Sequence, residues 1–246
     1  PSLLPRWVPY YEYFLPAIIK GSTTVVCVSE FTRQEVLERY PSIQEKKLKV
    51  IHGGVDLERF HPCSQGVIKE RYELNDYLLC VGEVRPYKNM ENVFRSLEFW
   101  SDGPQLAISG KIFSAYKLKL ENLARSLNIE NRVTWLGYVP DDLLPNLYSE
   151  AVAFIFPSLY EGFGLPILEA MACGCPTLSS NMASLPEIGG KAAHFFDPKE
   201  IGDMAEAIKK VCEDSVYRQK LAQGSPKHAK KFSWESSTKK HMELFE

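Results

Sequence analysis

The chain has 246 residues, of which 45% are hydrophobic, and its formal net charge is −2. This apolar content suits one large or two small globular domains and excludes a fibrous or disordered chain. The charge gives no case for a nucleic-acid partner, although residues 227–240 are locally basic. The sequence holds no apolar run long enough to span a bilayer. Because it starts without Met or a signal-peptide pattern, we expect an excised fragment.

The first sixty residues read as a small α/β segment. The sequence predicts a helix over residues 10–19, a strand over 23–29, a helix from Ser29 to about residue 40 and a short strand over 47–51. Ser29 is a good cap for the second helix, and Pro41 ends it.

From residue 76 onward, strand patterns alternate with helix patterns. Strands are predicted at Tyr77–Val81, Gln105–Ser109, 132–136, 151–156, 177–179 and 192–196. Helices are predicted near 89–99, 114–127, 141–148, 167–172 and 185–188, and from 199 onward. This alternation predicts an α/β fold, a Rossmann-like parallel sheet with helices on both faces. Such sheets bind ligands beyond the carboxyl ends of their strands, so one crevice is expected among loops 82–88, 110–112, 137–139, 158–165 and 180–184.

The most informative stretch follows the predicted strand 151–156. Gly162 and Gly164 let the backbone approach a ligand, and the start of the next helix presents free amides and a positive dipole to an anion. Glu161 precedes this turn and Glu169 follows it in the helix, so both can reach a ligand lying along it. A lone Gly-x-Gly turn can equally be only structural.

The whole string at 161–176 is more specific. It reads Glu-Gly-Phe-Gly-Leu-Pro-Ile-Leu-Glu-Ala-Met-Ala-Cys-Gly-Cys-Pro and resembles the nucleotide-sugar motif of family 4 retaining glycosyltransferases, which have the GT-B fold. The resemblance implies that Glu161 bonds hydroxyls of the transferred sugar and that Glu169 holds the ribose. It also implies a donor-binding turn formed by Gly162, Phe163, Gly164 and Leu165. Transfer with retention of anomeric configuration is then expected, without a protein nucleophile.

The loop after the first strand of the sheet carries the second motif, Val-Gly-Glu-Val-Arg-Pro-Tyr-Lys-Asn at 81–89. Taken alone, this segment is better explained as an ordinary charged loop. Beside the motif at 161–176 it resembles the phosphate clamp of the same family, which places Gly82 at the donor and Lys88 on the leaving diphosphate. Glu83 stands where the family usually has an arginine. Arg85 is the candidate to replace it, and the sequence leaves open whether it does.

The remaining candidate ligands are few. Tyr138, in the loop 137–139, is assigned to the nucleotide base pocket. The histidines show no metal-ligand spacing and the chain has no Asp-x-Asp motif, so neither a metal ion nor a cofactor besides the nucleotide sugar is predicted. The cysteines lack zinc or thioredoxin spacing, and a reducing, cytoplasmic compartment is expected.

The resemblance also divides the chain. Residues 1–52 are predicted to be a remnant of an N-terminal, acceptor-side domain, and 53–63 an interdomain linker, where His-Gly-Gly-Val-Asp at 52–56 resembles the family crossover. Residues 64–230 would form the nucleotide-sugar-binding domain. Residues 231–246 would cross back toward the missing N-terminal domain.

The expected activity is transfer of a hexose, with a lean toward mannose, from GDP-mannose or a UDP-sugar to a sugar or lipid-linked acceptor. Peripheral contact with the membrane surface is compatible with such an acceptor. The fragment itself is expected to bind donor but scarcely to catalyse, because positioning the acceptor needs the other domain. Two alternatives stay open: a non-catalytic nucleotide or sugar-binding or scaffold module of the same fold, and another GT-B enzyme such as an epimerase or a phosphorylase.

Overall fold

A computed structural model describes residues 8–100 and 102–246 of the chain. Its strands are β1 (Val25–Cys27), β2 (Leu48–Val50), β3 (Tyr77–Val81), β4 (Gln105–Ser109), β5 (Val133–Gly137), β6 (Ala153–Phe156), β7 (Thr177–Ser180) and β8 (Ala193–Phe196). Strands β1 and β2 form a small parallel pair, and the others form a six-stranded sheet with the order β5-β4-β3-β6-β7-β8. Every neighbouring pair in this sheet is parallel, which confirms the predicted Rossmann-like topology.

The helices cover both faces of the large sheet. They are α1 (Leu15–Gly21), α2 (Glu30–Arg39), α3 (Val67–Tyr72), α4 (Met90–Glu98), α5 (Ser114–Ser126), α6 (Leu144–Ser149), α7 (Leu165–Ala172), α8 (Leu185–Gly189), α9 (Ile201–Glu213), α10 (Ser215–Ala229) and α11 (Trp234–Met242). Helices α4, α5 and α9 pack on one face, and α3, α6, α7 and α8 pack on the other. Short 3-10 turns lie at Glu45–Lys47, Pro86–Lys88, Glu130–Arg132 and Gly190–Ala192.

The sequence of β3 explains why both faces need a cover. Leu78 and Cys80 point into one hydrophobic cluster while Tyr77 and Leu79 point into the other, because successive residues of a strand face opposite sides. All four side chains are buried, as is usual for a parallel strand with helices on both sides. The largest fully buried side chains include aromatic residues such as Phe154. Its replacement by Ala would lower the free energy of unfolding by about 3–5 kcal/mol.

The N-terminal segment forms its own small core around β1 and β2, made of Ile19, Cys27, Ile43 and Leu48. The predicted helix over 10–19 is a π-helical turn at Tyr10–Phe14 followed by α1, which begins just before Pro16, a residue that has no amide to donate. The predicted strand over 23–29 is shorter, because Ser29 already caps α2 with its side chain.

The end of the chain packs on residues 52–55. The amide of Val55 donates to the carbonyl of Phe232 at 2.9 Å, and Val55 also forms a parallel bridge with Ser233. A side chain at Gly54 would lie 2.2 Å from the backbone nitrogen of Trp234, so only glycine fits there. Helix α11 begins directly after this contact, with Ser233 as its cap.

Two further properties of the described residues bear on the expectations above. All six cysteines are free thiols, four of them buried, and the expected reducing compartment stays a prediction. Among the helices of the described ranges, none has the length and apolarity needed to cross a membrane.

Candidate active site

The candidate site lies at the carboxyl edge of the large sheet, between β3 and β6. These strands are neighbours, although the chain extends from β3 to one side of the sheet through β4 and β5 before returning to β6. This reversal of strand order opens a crevice in which doubly wound sheets bind ligands. A hydrogen bond of 2.8 Å from the amide of Leu159 to the carbonyl of Tyr87 joins the two loops that border it.

Lys88 and Glu161, the two predicted catalytic residues, meet in this crevice. The Nζ atom of Lys88 lies 2.7 Å from Oε1 of Glu161, and their side chains are only 14% and 18% exposed. The ammonium also lies 4.5 Å from the centre of the Phe156 ring, which supports it by a cation–π contact. The structure thus brings together a cation from the loop after β3 and a carboxylate from the loop after β6.

Gly82 lies under the Lys88 side chain and turns the backbone at the end of β3. Its φ of +130° is one that glycine adopts readily, and a Cβ there would lie 3.8 Å from Nζ of Lys88. The cleft at this point is narrow, with a volume of about 20 Å³. Most of its lining is apolar, with Val81, Ile108 and Phe156, and Glu83 and Lys88 are its charged residues.

Arg85 does not reach into this cleft as a free cation. Its guanidinium forms two hydrogen bonds of 2.9 Å with the Glu83 carboxylate and lies 4.6 Å from the centre of the Phe113 ring. The bond from Arg85 holds the pKa of Glu83 below its ordinary value, and the same bond raises the pKa of Arg85. Arg85, the candidate to replace the family's phosphate-binding arginine, is therefore neutralised by Glu83, which occupies the position of that arginine.

The turn that contains Gly162, Phe163 and Gly164 leads directly into helix α7, which begins at Leu165. Gly164 has a φ of +113°, and a side chain there would approach Leu185 to 2.9 Å. Of the first three helical positions, Pro166 has no amide hydrogen and the amide of Ile167 donates to the carbonyl of Gly164 at 3.0 Å, so the amide of Leu165 is the donor left for a ligand. Leu165 is 38% exposed at the helix start.

Glu169 lies on the side of α7 that faces α6. Its Oε2 accepts a hydrogen bond of 2.9 Å from the hydroxyl of Tyr148. Burial raises the pKa of Glu169, while the Tyr148 bond and the charge of Arg59 act in the opposite direction. Burial also keeps Tyr148 protonated, with a pKa well above its ordinary value, so it serves as the donor in this pair. The bond from Tyr148 therefore fixes the Glu169 carboxylate against α6, and Glu169 is not part of the Lys88–Glu161 ion pair.

Tyr138, the residue assigned to the base pocket, lies in the loop after β5. Its side chain is 76% exposed, and its hydroxyl is 3.5 Å from a carboxylate oxygen of Asp141. The described residues do not enclose it, and its role stays a prediction.

Several side chains of the site were missed by sequence reasoning. The Ser184 hydroxyl contacts the carbonyls of Glu161 and Phe163, and the Ser29 and Thr32 hydroxyls contact that of Gly162. Ser29 was predicted only as a helix cap. Ser184 lies in the loop 180–184, which was placed at the right edge of the sheet, but a serine in a loop carries no signal of its own.

Comparison with known proteins identifies the family. The family model described as glycosyl transferases group 1 matches residues 67–228, and that described as glycosyltransferase family 4 matches residues 1–59. The chain belongs to the glycosyl transferases group 1 family. The match spans β3 to β8 and therefore includes both loops of the site.

Curated relatives match nearly the whole of this chain. O-antigen chain mannosyltransferase B of Escherichia coli is 32% identical over 239 residues, which are 94% of this chain and 62% of the relative. D-inositol 3-phosphate glycosyltransferase of Corynebacterium jeikeium is 29% identical over 93% of this chain and 58% of the relative. The chain thus spans about three fifths of the length of these two relatives.

Solved structures show the same fold. HepE of Anabaena in complex with UDP and glucose superimposes with a TM-score of 0.87 at 20% identity, covering 96% of this chain and 66% of that one. Sucrose-phosphate synthase from Thermosynechococcus elongatus gives a TM-score of 0.84 at 24% identity, over 94% of this chain and 59% of that one. The predicted C-terminal half of a GT-B glycosyltransferase is therefore confirmed as a fold, while the predicted domain boundaries stay predictions.

Proposed function

We propose that this chain is the donor-binding part of a retaining glycosyltransferase that transfers a hexose from a nucleotide diphosphate sugar. The observation that carries the proposal is the contact between Lys88 and Glu161 at the point where the strand order reverses. A cation there can take up charge on a leaving diphosphate, and a carboxylate beside it can bond sugar hydroxyls and face a developing oxocarbenium charge.

The helix start at Leu165 supplies the second part of the donor site. The amide of Leu165 and the positive end of the helix dipole favour the same anion that Lys88 would neutralise. On the side of α7 that faces α6, Glu169 accepts a hydrogen bond from Tyr148, and the family resemblance assigns the ribose hydroxyls to this carboxylate. We therefore place the nucleoside toward Glu169 and Tyr138, and the sugar toward Glu161. A metal ion is not required in this proposal, because Lys88 and the amides carry the charge stabilisation.

The donor is proposed to be GDP-mannose, with a UDP-sugar as the alternative. Support for mannose comes from relatives named as mannosyltransferases, including the Escherichia coli O-antigen enzyme. Support for a UDP-sugar comes from HepE, whose solved complexes contain UDP, glucose and UDP-glucose. The acceptor is proposed to be a sugar or a lipid-linked sugar, which would bring a cytoplasmic enzyme to the membrane surface.

The chain alone is proposed to bind donor and to catalyse little. It spans about three fifths of the relatives that it matches over nearly its whole length, so the acceptor side would come from the rest of a longer protein. Transfer requires both substrates to be positioned at once, which this part cannot do. Multiple turnover by the 246 residues alone would contradict this part of the proposal.

The decisive experiment uses the longer protein that contains this chain. GDP-mannose and UDP-glucose are incubated with a panel of sugar and lipid-linked acceptors, and the anomeric configuration of the product is read by NMR. We expect a product with the donor's configuration, and Glu161→Gln should abolish it. Glu121→Gln, which removes an exposed ion pair with Lys117 on α5, is the matched control and should leave transfer unchanged. Inversion of configuration would contradict the retaining mechanism.

A second function is favoured by one observation, the pairing of Arg85 with Glu83. If this pair persists when donor is present, the clamp lacks one cation and the domain could bind nucleotide or sugar without turnover. Donor binding by the longer protein without transfer or hydrolysis would support this non-catalytic function.

A further inference from the structure

Three consecutive carbonyls of the donor turn are held by hydroxyl groups from two sides. The hydroxyl oxygen of Ser184, which immediately precedes α8, lies 2.9 Å from the carbonyl oxygens of both Glu161 and Phe163, so its single hydrogen is shared between them. From the opposite side, Ser29 donates to the carbonyl of Gly162 at 2.7 Å and Thr32 donates to the same oxygen at 3.2 Å.

These contacts fix more than the carbonyls. A peptide unit is planar, so holding its oxygen also sets the direction of the amide on the next residue. The hydroxyls of Ser29 and Thr32 therefore orient the amide of Phe163, and Ser184 orients those of Gly162 and Gly164. Because the C=O and N–H of one peptide unit point in opposite directions, each of these amides points away from the hydroxyl that holds its peptide carbonyl.

Ser29 and Thr32 stand at the start of α2, and a carboxylate from α8 anchors that helix start. Glu187 accepts the amide of Glu30 at 2.9 and 3.0 Å and the amide of Phe31 at 3.3 Å. It also lies 2.6 Å from Nε2 of His52 and is 24% exposed. A carboxylate at a helix start satisfies free amides and opposes the positive end of the dipole. Glu187 thus joins the N-terminal segment to the sheet that carries the donor turn.

We propose that Glu187 is a positioning residue of the donor site, acting through helix α2. By holding α2, it places the hydroxyls of Ser29 and Thr32 on the Gly162 carbonyl, so that the Phe163 amide meets the distal phosphate or the sugar of the donor. This inference rests on the proposed function. It predicts that the N-terminal segment sets affinity for the sugar diphosphate end of the donor and not for its nucleoside end.

The variants are Glu187→Gln and Thr32→Val, with Thr32→Ser as the conservative change that keeps the hydroxyl. Glu150→Gln is the matched control, because Glu150 likewise accepts a helix amide, that of Ile68 in α3, at 3.0 Å. Both glutamate variants remove one carboxylate from a helix start, and only Glu187 is connected to the donor turn. Circular dichroism and melting temperature establish that each variant is folded.

The readout is the ratio of two affinities measured by calorimetry on the 246-residue chain, one for GDP-mannose or UDP-glucose and one for the matching nucleoside monophosphate. In Glu187→Gln and Thr32→Val, we expect the nucleotide sugar to bind about fivefold more weakly, the equivalent of about one hydrogen bond, with the monophosphate unchanged. Thr32→Ser and Glu150→Gln should leave the ratio as in the wild type. An unchanged ratio in Glu187→Gln and Thr32→Val, or an equal loss of both ligands, would overturn the proposal.

A ligand-free measurement separates this proposal from the proposed function. Hydrogen exchange of residues 158–165 should be faster in Glu187→Gln and Thr32→Val, with the bonded amide of Leu159 as reporter, and unchanged in Glu150→Gln. If no nucleotide binds the wild type, the proposed donor site fails, and hydrogen exchange still decides whether Glu187 holds the turn. If the wild type binds nucleotide and exchange is unaltered in both variants, the positioning role fails while the donor site stands.

Discussion

The ammonium of Lys88 and the carboxylate of Glu161 lie 2.7 Å apart across the crevice between the loops after β3 and β6. In the absence of ligand, the two groups neutralise each other. A nucleotide sugar would replace this contact with two others, from Lys88 to the diphosphate and from Glu161 to the sugar. Donor binding therefore replaces one ion pair with two contacts to the ligand. The two contacts can be tested separately, because a nucleoside diphosphate lacks the sugar that Glu161 would bind and a nucleoside monophosphate lacks the diphosphate that Lys88 would bind.

Glu161→Gln should separate the two ends of the donor. Lys88 is freed from its counter-ion, so the affinity for a nucleoside diphosphate should stay the same or rise by about threefold. The affinity for the nucleotide sugar should fall by about tenfold relative to the diphosphate, because the bond to a charged acceptor is lost. Calorimetric titration with both ligands measures this. A parallel loss for both ligands would show that Glu161 acts on the fold and not on the sugar.

Glu83→Gln should strengthen nucleoside diphosphate binding by about threefold, because it releases Arg85 and removes a negative charge near the diphosphate. The melting temperature should not change, since both side chains are largely exposed and such pairs contribute little to stability. The gain should disappear in 0.5 M salt, about three times physiological ionic strength, and in the double variant with Arg85→Met. If Glu83→Gln and the wild type bind the nucleoside diphosphate with the same affinity, Arg85 does not take part in donor binding.

Glu169→Gln should stabilise the fold while it weakens binding. Burial raises the pKa of Glu169 above its ordinary 4.5, so its ionisation opposes folding and the wild type loses stability as pH rises through that pKa. Glutamine can still accept from Tyr148 and carries no charge. At pH 7 we expect the melting temperature to rise by roughly 2 °C and the nucleotide affinity to fall by about tenfold.

The pH dependence provides the control for this variant. At a pH below about 4, where Glu169 is protonated in both folded and unfolded chains, the difference in melting temperature should vanish. A stability gain that is the same at both pH values would argue against ionisation as its cause.

Gly110→Ala should destabilise the sheet edge beneath the site. Gly110 has a φ of +129°, and a Cβ there would lie 2.0 Å from the carbonyl oxygen of Gly82. Strain and the displaced loop should cost at least about 3 kcal/mol in the free energy of unfolding, measured with urea. Gly202→Ala, in α9 with open space around it, is the matched control and should gain about 0.5 kcal/mol.

Most of the fold follows from periodicity in the sequence. Strands β3 and β6 are apolar throughout and β4 is apolar at its three central residues, as is usual for strands buried on both faces. The glycines at 82 and 110 mark turns directly after β3 and β4. Helix α3 was not predicted, because it has only six residues and its first turn is capped by Glu150, a contact that only the folded chain provides. Helix α6 begins at Leu144 and not near residue 141, since Pro145 favours the first turn of a helix.

The part of the candidate site that could be predicted from the sequence is the part that lies in the two motifs, at 81–89 and 161–176. The sequence predicts that Lys88 and Glu161 lie in loops that line one crevice, and in the structure their side chains are in contact. The pairing of Arg85 with Glu83 depends on the turn at Pro86, and the contacts of Ser29 and Glu187 join residues more than one hundred positions apart. No local pattern encodes the partners of Ser29 and Glu187, because they depend on how the N-terminal segment packs against the loops of the large sheet.

The most direct test of the donor site is a calorimetric titration of the chain with GDP, UDP and ADP, followed by their diphospho-sugars. It is repeated on Lys88→Met, which keeps the apolar stem of the side chain, and on Glu169→Gln. We predict preferential binding of one nucleotide, weakened by both substitutions. If no nucleotide binds, or if binding is indifferent to both substitutions, the crevice between β3 and β6 is not a nucleotide-sugar site.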